Sequence, residues 1–194
     1  MQRGDIVAGK YRLNQPLGSG GMKVSARVNH PNIIDIHDVG QTEQSQLFLV
    51  MELLTGFPLE VALRRQTPPM TLYEFAIVMI EVGDALAAAH KAGIVHRDLK
   101  PTNIYLHKVK DGVAIPKVLD FGVSKFLEDD TNHALTVAGT VLGSPLYMSP
   151  EQARGESHLD GRTDIFAFGA ILFEALCGYR PYEAKNFNAL IVKI

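Results

Sequence analysis

His96-Arg97-Asp98-Leu99-Lys100-Pro101-Thr102-Asn103 crowds four ionisable side chains and an asparagine into eight residues. Ile94-Val95 and Ile104-Tyr105-Leu106 flank it and read as short strands, so the charged run reads as a polar loop between them. Upstream, Leu72 to His90 is apolar over one broad face. Thr71 and Glu74 have the spacing of a capping box, and Gly93 stands where a helix would stop. A helix that apolar belongs near the centre of a core. Downstream, Val118-Leu119 reads as another short strand, ending at Asp120-Phe121-Gly122. Residues 123–148 show no sustained period and are rich in Thr, Ser, Gly and Asp. A loop of that length inside a compact domain is usually functional. Ser149-Pro150-Glu151-Gln152 opens a short helix with an N-cap serine, proline at the first position and glutamine completing the box. Thr163 or Asp164 opens a further apolar helix, stopped at Gly178 with Pro181 beyond.

Further out, Tyr11 to Leu17 alternates like a strand and runs into Gly18-Ser19-Gly20-Gly21. Ile33 to Val39 is a second β-rich run, and Leu47 to Met51 is a third, apolar throughout and expected to be buried. The three predict a small sheet near the N-terminus, giving way to helix after Gly56. Apolar residues make up 46% and charged residues 21%, with a net charge of −2. This is a globular composition, and nothing in it favours nucleic acid as a partner. The lone cysteine, Cys177, fits a reduced, cytoplasmic setting. The first residues lack a leader's apolar run, and the apolar stretch from Phe166 to Cys177 is too short to cross a membrane. A soluble chain is expected.

The charged octad, Asp120-Phe121-Gly122 and Ser149-Pro150-Glu151 together resemble the signature set of protein kinases: catalytic loop, metal-binding Asp-Phe-Gly, and the motif closing the activation loop. Three motifs in order are far more specific than one. The form His-Arg-Asp-Leu-Lys-Pro-x-Asn resembles the serine/threonine class, and Gly143 to Met148 is similar to bacterial, Hanks-type members. The resemblance implies an α+β, bilobal fold. Residues 1–54 would form a reduced β-sheet lobe, and residues 55–194 an incomplete, mainly helical lobe. It implies ATP- and Mg²⁺-dependent transfer of the γ-phosphoryl group to a protein serine or threonine. Asp98 would orient the acceptor hydroxyl, Lys100 would reach the transferring group as a point charge, and Asn103 and Asp120 would supply hard oxygens to Mg²⁺. Arg97 would pair with a phosphorylated Thr136 or Thr140 in the activation loop, to which Ser144 and Glu151 also belong. His96, Phe121 and Asp164 would support the catalytic loop. Met51, the Glu52 carbonyl, Leu54 and Tyr105 would meet the adenine, with a plain core role for Met51 and Tyr105 equally open.

The chain also departs from the family pattern. Leu17, Gly18, Ser19, Gly20 and Gly21 resemble the glycine-rich loop over the ATP phosphates, but Lys23 stands at the third glycine. Ser25 to Asn32 then follows almost at once, where the family has a lysine-bearing strand and a glutamate-bearing helix. No residue plainly supplies that ion pair. With-no-lysine kinases carry a lysine at the third-glycine position, so Lys23 is a candidate substitute; the other reading is a solvated side chain at a deletion junction. Asn186 to Ile194 resembles only the opening of the helix that follows the core helix. The late arginine that partners Glu151 in the family has no counterpart, leaving Glu151 exposed or paired with Arg154, Arg162 or Arg180. The alternatives to an active kinase are a catalytically impaired docking module and a fragment of a longer kinase.

Overall fold

The computed structural model describes residues 6–7, 11–12, 28–41, 47–64, 70–108, 114–121 and 145–194. Strands β1 (Ile6–Val7) and β2 (Tyr11–Arg12) pair antiparallel with each other. Strands β3 (Ile36–Gln41) and β4 (Leu47–Met51) form a separate antiparallel pair. The expected single N-terminal sheet is thus two pairs among the described residues, because each strand takes its nearest neighbour along the chain. In the β3–β4 register Gly40 faces Phe48, whose ring fills the space a Cβ at 40 would need. Phe48 to Met51 are half-buried rather than buried, as suits a two-stranded ribbon.

Strand β5 (Gly56–Pro58) comes where helix was expected, and it pairs with β6 (Ile104–Lys108), which pairs in turn with β7 (Ala114–Val118). Gly56 has φ +139°, and a Cβ there would lie 2.0 Å from the Leu106 carbonyl oxygen, so this close crossing requires glycine. Helix α1 (Leu59–Leu63) follows directly.

Helix α2 (Leu72–Lys91) starts at the expected capping box: the Thr71 side chain accepts from the Glu74 N–H, and Glu74 reaches back to the Thr71 N–H. Phe75, Val78, Met79, Val82, Ala85, Leu86 and Ala89 recur every three or four residues and are buried, while Tyr73, Ile77 and Ile80 on the opposite side are exposed. The helix stops at Gly93, φ +76°, with Gly93 N–H donating to His90 O and Ile94 N–H to Ala89 O. That is a Schellman termination, and it explains why Ile94-Val95 is not a strand: the Ile94 donor is already used.

Helix α3 (Pro150–Ala153) has the anticipated Ser149–Gln152 box. Helix α4 (Gly161–Cys177) begins two to three residues before the expected start, capped by Asp160 and ended at Gly178, φ +79°. Helix α5 is Phe187–Lys193. The core joins α2, α4, β6 and β7 through Val82, Leu86, Ile171, Ile104, Leu106 and Val118. Ile165, Phe173 and Leu176 of α4 remain exposed. No helix among the described residues is long and apolar enough to cross a membrane.

Candidate active site

The loop that carries Asp98 is built around a carboxylate 66 residues further along the chain. Asp164, in the first turns of α4, is fully buried. Its Oδ2 accepts from the His96 N–H at 2.8 Å and from His90 Nε2 at 2.6 Å, and its Oδ1 accepts from the Arg97 N–H at 2.8 Å. Three donors satisfy a charge that would be very costly alone in a core. His96 is buried too, and its burial holds the imidazole pKa down despite nearby carboxylates. Its partners define one neutral tautomer: Nε2 donates to Leu119 O at 2.7 Å, while Nδ1 accepts from the Asp98 N–H at 3.2 Å. The His96 ring lies 4.8 Å from that of buried Phe121. His96, Phe121 and Asp164 thus support the loop as expected.

Arg97 adopts φ +66°, a left-handed conformation that costs a residue with a Cβ roughly 1–2 kcal/mol. The bond of its N–H to Asp164, and of its carbonyl to the Gln152 side chain, hold it there. Asp98 is exposed, and its Oδ2 contacts Lys100 Nζ at 2.7 Å and Asn103 Nδ2 at 3.3 Å. Asn103 Nδ2 also donates to the Asp98 carbonyl at 2.9 Å. Both amide hydrogens of buried Asn103 therefore point at Asp98, which turns its Oδ1 away as a free acceptor among the described residues. The Asn103 carbonyl accepts from the Leu119 N–H, bringing the end of β7 beside the loop. Asp120 comes next, with φ +59°. Partial desolvation raises its carboxyl pKa. The Asp98 charge adds to the rise, and together they outweigh His96 and Lys100.

The residues expected around adenine lie on β6 and at the end of β4 and just beyond it. Met51, Glu52 and Leu54 are half-buried in the segment leaving β4. The Glu52 carboxylate contacts Lys117 Nζ at 2.6 Å and accepts from the Asp35 N–H at 2.9 Å. Partial desolvation pushes its pKa up, but these bonds win and hold it below the usual value. Tyr105 OH donates to Gly56 O at 2.9 Å, which ties β6 to β5. Glu151 contacts none of the three candidate arginines among the described residues. Instead it accepts from Thr163 Oγ1 at 2.8 Å, because Arg154 pairs with Glu156, Arg162 with Asp160, and Arg180 with Glu174 and Glu183. Leu17, Gly18, Ser19, Gly20, Gly21, Lys23, Gly122, Thr136, Thr140 and Ser144 lie outside the described residues. Sequence reasoning missed His90, Lys117 and the second bond of Gln152. Each works through a partner dozens of residues away and leaves no local pattern.

The sequence matches the protein kinase domain over residues 18–193. The chain belongs to the protein kinase domain family. It is 46% identical over 167 residues to serine/threonine-protein kinase pkn3 of Myxococcus xanthus, covering 84% of this chain and 30% of that protein. Identity to serine/threonine-protein kinase Pkn1 of the same organism is 39%, covering 85% of this chain and 23% of that protein. A probable serine/threonine-protein kinase PknB of Lactococcus lactis is 40% identical, covering 87% and 25%. The kinase-domain chain thus spans less than a third of the length of these curated relatives. Against serine/threonine-protein kinase pkn2 of Myxococcus xanthus the match runs over 224 positions, more than the 194 residues present here. That relative therefore carries residues within the matched stretch that this kinase chain lacks.

Proposed function

We propose that this chain transfers the γ-phosphoryl group of ATP to a serine or threonine hydroxyl of a protein substrate, with Mg²⁺. The observation that carries this reading is the pinned carboxylate of Asp98, with Lys100 on one oxygen and Asn103 holding both its backbone and its side chain. Mg²⁺·ATP, when bound, supplies the transferable group and the charge that balances it. The donor set suits Mg²⁺, which takes one or two protein oxygens and completes its shell with phosphates and water. Asn103 Oδ1 and the exposed Asp120 carboxylate are two such oxygens.

On this reading Asp98 Oδ1, which accepts no bond among the described residues, orients the acceptor hydroxyl and receives its proton. Lys100 neutralises charge that develops on the transferring group. Met51, Glu52, Leu54 and Tyr105 border the adenine, and residues 17–23 cover the phosphates, with Lys23 the candidate substitute for the family's lysine. Arg97 meets a phosphate on Thr136 or Thr140, in the segment that also holds Ser144 and Glu151. Residues 1–54 and 55–194 form the two lobes, and the domain works in the cytoplasm.

Calorimetry of Mg²⁺·ATP binding to the purified chain tests this, with Asp120→Ala as the control. Binding that disappears in Asp120→Ala is expected. It should also weaken in the parent as pH falls through the raised Asp120 pKa, since the cation needs the ionised carboxylate. A folded chain that binds no nucleotide overturns the proposal and leaves a docking role.

A further inference from the structure

Gln152 does more than complete a helix cap. Its Oε1 accepts from the Ser149 N–H at 3.1 Å, as the capping box requires. Its Nε2 donates to the Arg97 carbonyl at 2.6 Å, across 55 residues of sequence. The Arg97 carbonyl and the Asp98 N–H belong to one rigid peptide plane. That plane is therefore held at both ends: Gln152 holds its oxygen, and His96 Nδ1 holds its N–H. The preceding plane is held by Asp164 through the Arg97 N–H. Arg97 lies between the two, and its φ of +66° is the angle their orientations impose. Without the Gln152 bond, the second plane loses the hold on its oxygen, and the hold on its N–H is a 3.2 Å contact to an imidazole. A left-handed arginine would then relax toward negative φ and turn Asp98 with it. A small cavity lined by Arg97, Asp98, Gln152 and Asp164 lies at this junction.

We propose that Gln152 is a positioning residue for Asp98, acting through the Arg97 carbonyl. This rests on the phosphoryl-transfer reading of Asp98. Gln152→Glu is the sharpest probe: it keeps the acceptor for Ser149 but replaces the donor with a carboxylate facing a carbonyl oxygen. Ser149→Ala is the counterpart, losing the serine's part of the cap while keeping the Gln152 amide. Amide exchange by NMR on the full chain should show the Asp98 amide about tenfold faster in Gln152→Glu and the Arg97 amide unchanged, since Asp164 still holds it. In phosphotransfer to casein, kcat should fall about tenfold with KM for ATP unchanged. Ser149→Ala should leave the Asp98 amide as in the parent. Three results would overturn the proposal: an Asp98 amide unchanged in Gln152→Glu, equal acceleration in Ser149→Ala, or acceleration shared by Arg97 and α4. If the parent transfers no phosphate, the proposed function falls, and the exchange comparison alone still decides whether the clamp exists.

Discussion

The loop at 96–103 and the β3–β4 hairpin are attached to the rest of the molecule in opposite ways. The loop is fastened from beneath by a fully buried carboxylate that takes three donors, and from the side by Gln152. The described contacts of the hairpin with the rest of the molecule run along a seam with β7. Ile33 bridges Val118, Ile34 N–H and Asn32 O bond to Val118, and the Asn32 side chain spans Glu81 and Pro116 O. The Glu52–Lys117 pair closes the seam further along β7. Buried polar anchors are all-or-none, because losing one leaves the others unsatisfied. A partly exposed seam can lose one contact and keep the rest. The loop at 96–103 is therefore the more tightly determined of the two, and the β3–β4 hairpin is the more tolerant of change.

The largest expected effect is at the anchor. Asp164→Ala orphans the His96 and Arg97 N–H groups and the His90 ring, and should cost on the order of 3–5 kcal/mol in denaturant unfolding. A loss below about 1 kcal/mol would erase the contrast, since surface-like contacts cost that little. Next is Gly161→Ala, whose Cβ would lie 2.6 Å from His90 Nδ1 and push that ring off Asp164. A cost of about 1–3 kcal/mol is expected, with Gly169→Ala, which meets nothing within 4 Å, as the neutral control. Lys117→Met removes one contact of the seam and should cost about 1 kcal/mol or less, leaving exchange in α2 and α4 as in the parent. Because the Glu52 pKa is lowered in the fold, the pair's contribution is present above the carboxyl's ordinary value of 4.5 and fades as pH falls through the lowered one. The gap between parent and Lys117→Met should close on acidification; a constant gap would mean packing rather than charge. The smallest effect is Asp120→Asn. A raised carboxyl favours the fold while protonated and opposes it once ionised, so removing the charge should lift the midpoint slightly at pH 7 and leave it unchanged near pH 3. A lowered midpoint at pH 7 would show the Asp120 charge to be stabilising instead.

The sequence made some of this legible and hid the rest for physical reasons. Both capping boxes and the stops at Gly93 and Gly178 could be read because each is complete within a few residues. The motif spacing that carries Asp98, Asn103 and Asp120 pointed to one family, and the fold brings Asp98 and Asn103 into contact. The Gly56–Pro58 strand was missed because its partner lies near residue 106 and nothing local alternates. The early start of α4 follows from Asp160, whose side chain accepts from the Arg162 N–H and caps the helix ahead of Thr163. Glu151, expected to be exposed or to find an arginine, found a hydroxyl, since each nearby arginine is taken by a closer carboxylate.

The distance along the chain between His96 and its anchor also sets a clock. Asp164 lies 68 residues after His96, so during synthesis at about 5–20 residues per second the loop waits roughly 3–14 s for the carboxylate that fixes it. Helix α2, complete by Lys91 with its own cap and stop, needs no such wait. The nascent chain thus carries the cradle before it carries the chemistry, and Asp98 stays unaligned on the ribosome until α4 has emerged.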